Sequence, residues 1–432
     1  MTEITSRDRL DHALARIEDP KGEGARACLT LYVQAARAAA EAADARARLG
    51  ISLGPLDGAI ITIKDLFDVK GEPTRAGSRI RAKAAPPEAD APVVQRLRAA
   101  GAVIVAKTNM SEFAFSGVGT NPHYGTPGNP ADRARIPGGS TSGGAVAVAD
   151  GMCAITIGSD TGGSTRIPAA LCGIVGFKPS QWRVPIAGAF PLSFTLDSIG
   201  PMATSVADCA AADAIMAGET PIALAPADLA GLRLGIPQGL PLEDLDGTVT
   251  VRFAAALAAL GNAGARLADA PMPLISEMLR INAIGGFAPA EAYAIHRDDL
   301  AARGDEFDPN VRARILRGSN LAAADYISMV RERARLVRAM DAQLAHLDAL
   351  VLPTTPIVAP RIEDVATPEG FGQRNMLLLR NTSIANFFDL TAISLPLPRE
   401  GGLPVGLMLV ARNGHDRRLF EIAAAVERLF AG

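Results

Sequence analysis

The spacing of apolar positions changes along the chain, and each change marks an element. In residues 5–47, Leu10, Leu14 and Ile17 recur at helical spacing within an Ala-rich, charged segment. That predicts two helices interrupted near residues 20–24, covering one face of a core. A Gly-Pro turn then feeds the β-branched run Ile60-Ile61-Thr62-Ile63, which ends at Lys64 and reads as a buried strand. Residues 91–100 form a short amphipathic pattern closed by Gly101, and residues 102–110 read as the next strand. The strand–helix–strand rhythm predicts a mixed or parallel sheet. Residues 143–149, all small or apolar, predict a helix pressed on that sheet. Residues 154–158 and 173–179 read as strands, residues 196–201 as a turn, and Ser205 as a helix start. In the second half, residues 232–236 and 349–352 read as strands, and residues 250–261, 325–347 and 417–430 as helices. Residues 271–317 read as mostly helical, and no tandem repeat or low-complexity linker divides the chain.

Composition narrows the class. A chain of 432 residues that is 48% hydrophobic can bury a large core. A formal net charge of −3 does not suggest a nucleic-acid surface. The first twenty residues mix acids and bases without an apolar core, and the longest apolar tract is broken by Asp150 and Gly151. Neither a secretory signal nor a membrane span is expected, and the location expected is cytoplasmic. Cys28, Cys153, Cys172 and Cys209 lack C-x-x-C spacing and read as small buried hydrophobes in a reducing compartment. The five histidines include no H-x-x-x-H pair, so no metal is expected. His123 could act as a base, but it sits in a Pro-flanked turn with no evident carboxylate companion.

The candidate chemistry concentrates in residues 136–170, IPGGSTSGGAVAVADGMCAITIGSDTGGSTRIPAA. Two clusters of glycines and hydroxyls, around Ser140 and Ser164, bracket an apolar segment. Small residues let the backbone approach a ligand closely, and successive N–H groups of Thr161, Gly162, Gly163 and Ser164 could converge on a developing oxyanion. Three readings compete: ordinary Gly-rich turns, a phosphate cradle, or a serine nucleophile beside an oxyanion site. Gly158 and Gly163 have P-loop spacing, but Ser164 stands where the lysine belongs. Neither serine lies in a G-x-S-x-G elbow. Lys64 is either a snorkelling edge lysine or a buried amine, and burial would lower its pKa and make it a proton acceptor.

With these residues together, the chain resembles the amidase signature family. The resemblance rests on PLDGAIITIKD, GAVIVAKTNMSEFA, NPHYGTPGNP, PGGSTSGGAVAVADG, GSDTGGSTRIPAALCGIVGFKPS, LDSIGPMATSVADCA and LPVGLMLVARNGHDRRL, in order. It implies an α/β fold with a large mixed β-sheet core flanked by helices on both faces, and one domain over residues 1–432. Residues 1–50 would be a helical cover, 54–210 the signature core, 211–345 a more variable helical region, and 346–432 the return to the sheet. It implies a Ser–cis-Ser–Lys triad, with Ser164 as nucleophile, Ser140 as bridge after a cis peptide from Gly139, and Lys64 as base. The backbone of Thr161, Gly162, Gly163 and Ser164 would form the oxyanion hole, and Arg166 is read as structural. The activity implied is hydrolysis of a small-molecule amide through a Ser164 acyl-enzyme, with carbamates or aryl esters as further substrates and no cofactor. The alternative is the glutamine-hydrolysing component of a tRNA-dependent amidotransferase. Partners expected are the amide substrate and neither nucleic acid nor membrane; a homodimer is left open. Substrate choice is expected in residues 110–115, 182–194, 281–317 and the loop after Pro353, with Met110, Phe113 and Thr354 as contact candidates.

Overall fold

The computed structural model describes residues 4–399 and 401–431. The strands are β1 (Cys28–Leu31), β2 (Ile60–Lys64), β3 (Val103–Thr108), β4 (Ile155–Asp160), β5 (Val175–Lys178), β6 (Ser198–Ala203), β7 (Arg233–Pro237), β8 (Arg266–Ala270), β9 (Ala349–Pro353), β10 (Thr391–Pro396) and β11 (Gly406–Ala411). All join one sheet in the order β1-β3-β2-β4-β6-β5-β10-β11-β9-β7-β8. The sheet is mixed, as expected: β2 runs parallel to β3 and β4, β7 runs parallel to β8 and β9, and the centre is antiparallel.

Helices cover both faces because the strands are apolar on both sides. Ile61 and Ile63 point into a cluster with Leu97, Cys209 and Leu419 from three helices. Ile60 points the other way, into a cluster with Leu14, Ala40 and Val146. All four cysteines are buried and unpaired. No helix among the described residues is long and apolar enough to cross a membrane.

Five strands were not read from the sequence; β10 and β11 fall in the segment expected to return to the sheet, and the other three depart from the reading. Cys28–Leu31 lies inside the segment read as helical and pairs antiparallel with β3 at the sheet edge. Ser198–Ala203 overlaps the turn expected around Gly200-Pro201, yet it is a fully buried strand between β4 and β5. Arg266–Ala270, charged and partly exposed, is the opposite edge strand, where apolar alternation is not required.

Candidate active site

β2 and β4 are adjacent and parallel, with Ile63 beside Ile157, so Lys64 and Ser159 reach the same end of the sheet together. This is the carboxyl end of the parallel strands, where loops carry functional groups in α/β folds. Lys64 is fully buried. Its Nζ donates to Ser140 Oγ at 2.7 Å and to Ser159 Oγ at 2.9 Å. Burial pulls the Lys64 pKa down from 10.5 to about 7, against the raising influence of Asp160 and Asp197. Taking an ammonium out of water is costly, so an amine held by hydroxyls rather than by a contacting carboxylate loses its proton readily.

Ser140 ends the loop before helix Ser142–Ala149, and the Gly139–Ser140 peptide is cis. Small residues let this helix lie directly on the sheet. A Cβ on Gly143 would fall 2.3 Å from the Ala27 carbonyl oxygen, and one on Gly158 would fall 2.6 Å from Thr141 Oγ1. Ser164 lies on the short loop between β4 and helix Arg166–Cys172 and is almost fully buried. The Thr141 N–H donates to the Ser164 carbonyl at 3.3 Å, which stitches the two serine loops together.

Residues 161–164 are braced from the far end of the chain. Thr382, on helix Pro368–Phe387, donates its hydroxyl to the Gly162 carbonyl at 2.6 Å. The Gly163 N–H, across the same planar peptide, therefore points away from Thr382. Gly163 has φ +137°, and a Cβ there would stand 2.2 Å from Thr382 Oγ1, so glycine is required. Below the loop, Arg166 holds Asp160 through Nε at 3.1 Å and Nη2 at 2.9 Å, and it also donates to Thr382 O and Asn386 Oδ1. Burial alone would raise the Asp160 pKa, but Arg166 and Asn386 overcome it and hold the carboxyl well below its usual range. With its donors engaged inside the protein, Arg166 is a structural anchor.

A cavity of about 660 Å³ lies behind the same helix. Its wall includes Met278, Leu279, Asn282, Arg314, Asn375 and Leu379. Leu379 also lies against the 161–164 loop: its Cδ2 is 3.1 Å from where a Gly162 Cβ would stand. Arg314 is cationic and forms no ion pair among the described residues; its guanidinium sits 4.5 Å over the Phe115 ring. Burial, helped by the charge of Arg317, pulls its pKa down to about 10. Arg314 Nε and Asn375 Nδ2 are both buried without a hydrogen-bond partner.

The three residues expected to contact substrate lie elsewhere in the packing, and none lines this cavity. Met110 is fully buried, and its carbonyl accepts from Asn121 Nδ2. Phe113 packs among Phe190, His296 and Phe307. Thr354 is fully buried and hydrogen-bonded to Ser394 Oγ at 2.7 Å. His123 has the carboxylate companion that the sequence did not suggest: its Nε2 is 2.8 Å from Glu112 Oε1. Glu112 also accepts from Ser78 Oγ and the Asp308 N–H, so this pair ties loops together. Sequence reasoning did not single out Ser159, Thr382, Asn386 or Asn375, whereas Arg314 falls within the 281–317 segment expected to govern substrate choice. The strand pattern did not point to Ser159, which by alternation shares a face with Ile157 and Ile63 and not with Thr62. Among the described residues no cluster of three or more His, Cys, Asp or Glu could hold a metal ion.

Comparison with known proteins gives a consistent result. The Amidase family model matches residues 10–420. The chain is 36% identical to the 2-amino-5-chloromuconic acid deaminase of Comamonas testosteroni over 405 residues, 91% of this chain and 86% of that one. It is 38% identical to the A component of the glutamyl-tRNA(Gln) amidotransferase of Chloroflexus aurantiacus over 464 residues, 99% of this chain and 94% of that one. A crystal structure described as an amidase superposes with a TM-score of 0.87 at 35% identity, covering 99% of this chain and 96% of the other.

Proposed function

The chain belongs to the amidase family, whose enzymes act on C–N bonds, and from that premise we propose that it hydrolyses a small amide bearing a carboxylate, through an acyl-enzyme on Ser164. The observation that carries this reading is the Lys64–Ser140 hydrogen bond of 2.7 Å, made by a fully buried amine. An amide carbonyl is a poor electrophile, so a serine must be activated and the developing oxyanion must meet preorganised donors. Ser164 Oγ attacks the carbonyl carbon while its proton passes to Ser140 Oγ, and the Ser140 proton passes to neutral Lys64 Nζ. The oxyanion is held by the N–H groups of Thr161, Gly162, Gly163 and Ser164. Collapse breaks the C–N bond, and the leaving amine takes its proton back along the same two hydroxyls. Water then attacks the ester by the same route and frees the carboxylic acid and Ser164.

The carboxylate in the substrate is supported by Arg314 and Asn375. A guanidinium without a carboxylate partner among the described residues, sharing with an unpaired amide N–H a cavity one side chain from the oxyanion loop, suits an anionic group of a small molecule. Two named relatives fit this chemistry, one being a deaminase of an organic acid and the other a component of a glutamyl-tRNA(Gln) amidotransferase. The test is a hydrolysis screen over aliphatic amides, anilides, carbamates, ω-carboxylated amides and glutamine, with Ser164→Ala as control. The expected result is turnover abolished by Ser164→Ala, and a KM for carboxylated amides about 10- to 100-fold higher in Arg314→Met while neutral amides change less than about threefold. Equal loss on both substrate classes would remove the carboxylate from the proposal. Release of ammonia from glutamine alone would favour the amidotransferase component, which the 38% identity over nearly the whole chain also allows.

A further inference from the structure

Asp197 is partly buried immediately before β6, and both its oxygens are occupied by protein donors. Oδ1 accepts from Thr161 Oγ1 at 2.6 Å, and Oδ2 accepts from the N–H groups of Leu192 and Ser193 at 2.9 and 3.0 Å. None of these donors is a cation, and Asp197 forms no ion pair among the described residues. Thr161 is the first residue of the loop that supplies the oxyanion donors. The tether continues outward: Ser193 Oγ donates to Glu291, which also accepts from the Thr195 N–H, Thr195 Oγ1 and Tyr326 Oη. Glu291 lies on helix Phe287–Arg303 and Tyr326 on helix Ala323–Leu344. Two carboxylates in series thus run from the oxyanion loop to the helical region that precedes β9.

We propose that Asp197 is a positioning residue, which fixes the aim of the oxyanion donors through the Thr161 hydroxyl, and that Glu291 extends this tether to the helices over the site. The inference rests on the reading of Ser164 as nucleophile and adds a residue to it. On the opposite side, Thr382 holds the same loop through the Gly162 carbonyl. The loop is therefore clamped at two successive residues, by a hydroxyl donating outward at Thr161 and a carbonyl accepting at Gly162. Donor aim matters most where charge develops, so a loosened clamp lowers transition-state binding more than substrate binding.

The experiment measures kcat and KM separately for Thr161→Val, Thr161→Ser, Asp197→Asn and the Thr161→Val/Asp197→Asn double variant, alongside wild type and Ser164→Ala. Labelling by an alkyl fluorophosphonate serves as a second readout of Ser164 reactivity that needs no natural substrate. Thr161→Val is expected to lower kcat and the labelling rate about 10- to 100-fold with KM within about twofold. Thr161→Ser is expected to stay within about threefold of wild type. The double variant is expected to lose no more than the worse single one, because both act through the same Thr161–Asp197 contact. The inference is overturned if Thr161→Val keeps kcat within twofold, if KM rather than kcat moves, or if the two losses multiply. Should Thr161→Val fail to fold, Glu291→Gln decides: a three- to tenfold lower kcat at unchanged KM supports the tether, and an unchanged kcat overturns it. Labelling that survives Ser164→Ala would instead sink the nucleophile assignment itself.

Discussion

Two lysines, Lys64 and Lys178, end neighbouring parts of the same sheet, and both are completely buried. Burial lowers both pKa values, Lys64 to about 7 and Lys178 to about 8, the latter helped by the Arg166 charge. Their partners differ. Lys178 Nζ donates to the carbonyl oxygens of Pro179 and Leu390 at 2.7 and 2.9 Å. Lys64 donates to the hydroxyls of Ser140 and Ser159. A carbonyl oxygen has no proton to give up, so the Lys178 site is a closed structural clamp. A hydroxyl can donate and accept at once, so the Lys64 site can pass a proton onward. Burial and a lowered pKa do not by themselves distinguish a base from a brace; the chemistry of the acceptors does.

The sharpest way to break this contrast is to remove each amine. Lys64→Met is expected to lower kcat by about 10³- to 10⁴-fold in steady-state assays, near the upper range for loss of a general base. Lys178→Met is expected to keep kcat within about threefold and to cost about 1–3 kcal/mol in denaturant unfolding, because two buried carbonyls lose their donor. A catalytic collapse in Lys178→Met with unchanged stability would erase the distinction. Next in size is the pH profile. The proposed relay needs the neutral amine, and burial pulls the Lys64 pKa down to about 7. The logarithm of kcat/KM is therefore expected to climb with unit slope as pH rises toward 7 and to level above it. A profile flat from pH 5 to 8 would mean that the amine does not serve as base. The smallest effect is expected at Ser159, the second acceptor of Lys64. Ser159→Ala should lower kcat about three- to tenfold and shift the ascending limb, whereas Ser140→Ala should cost about 100-fold or more.

The sequence showed some of this contrast in advance. Lys64 follows an unbroken β-branched run, and that run is a strand because its side chains are buried on both faces. The hydroxyl loops were visible as Gly-rich clusters, since only glycine fits at Gly163 beside Thr382. Other parts were hidden for physical reasons. Gly200-Pro201 signals a turn locally, but tertiary burial between β4 and β5 made the segment a strand. Glu112 and His123 face each other only after two loops fold back, so neither advertised the other. Arg314 and Asn375 are 61 positions apart on different helices, and their shared cavity exists only in the folded chain. Met110, Phe113 and Thr354 sit next to recognisable motifs, but proximity along the chain did not make them cavity walls.

The brace from helix Pro368–Phe387 has a consequence for dissecting the molecule. A fragment stopping at residue 360 would retain Lys64, Ser140 and Ser164. It would lose Thr382, the acceptor side chain of Asn386, and strands β10 and β11 on either side of which β5 and β9 pair. Such a piece would keep the three residues of the proposed triad and the Asp197 contact of Thr161, but it would lose the brace on Gly162, so the minimal working unit reaches beyond residue 360 and is not set by the segment that contains the serines alone.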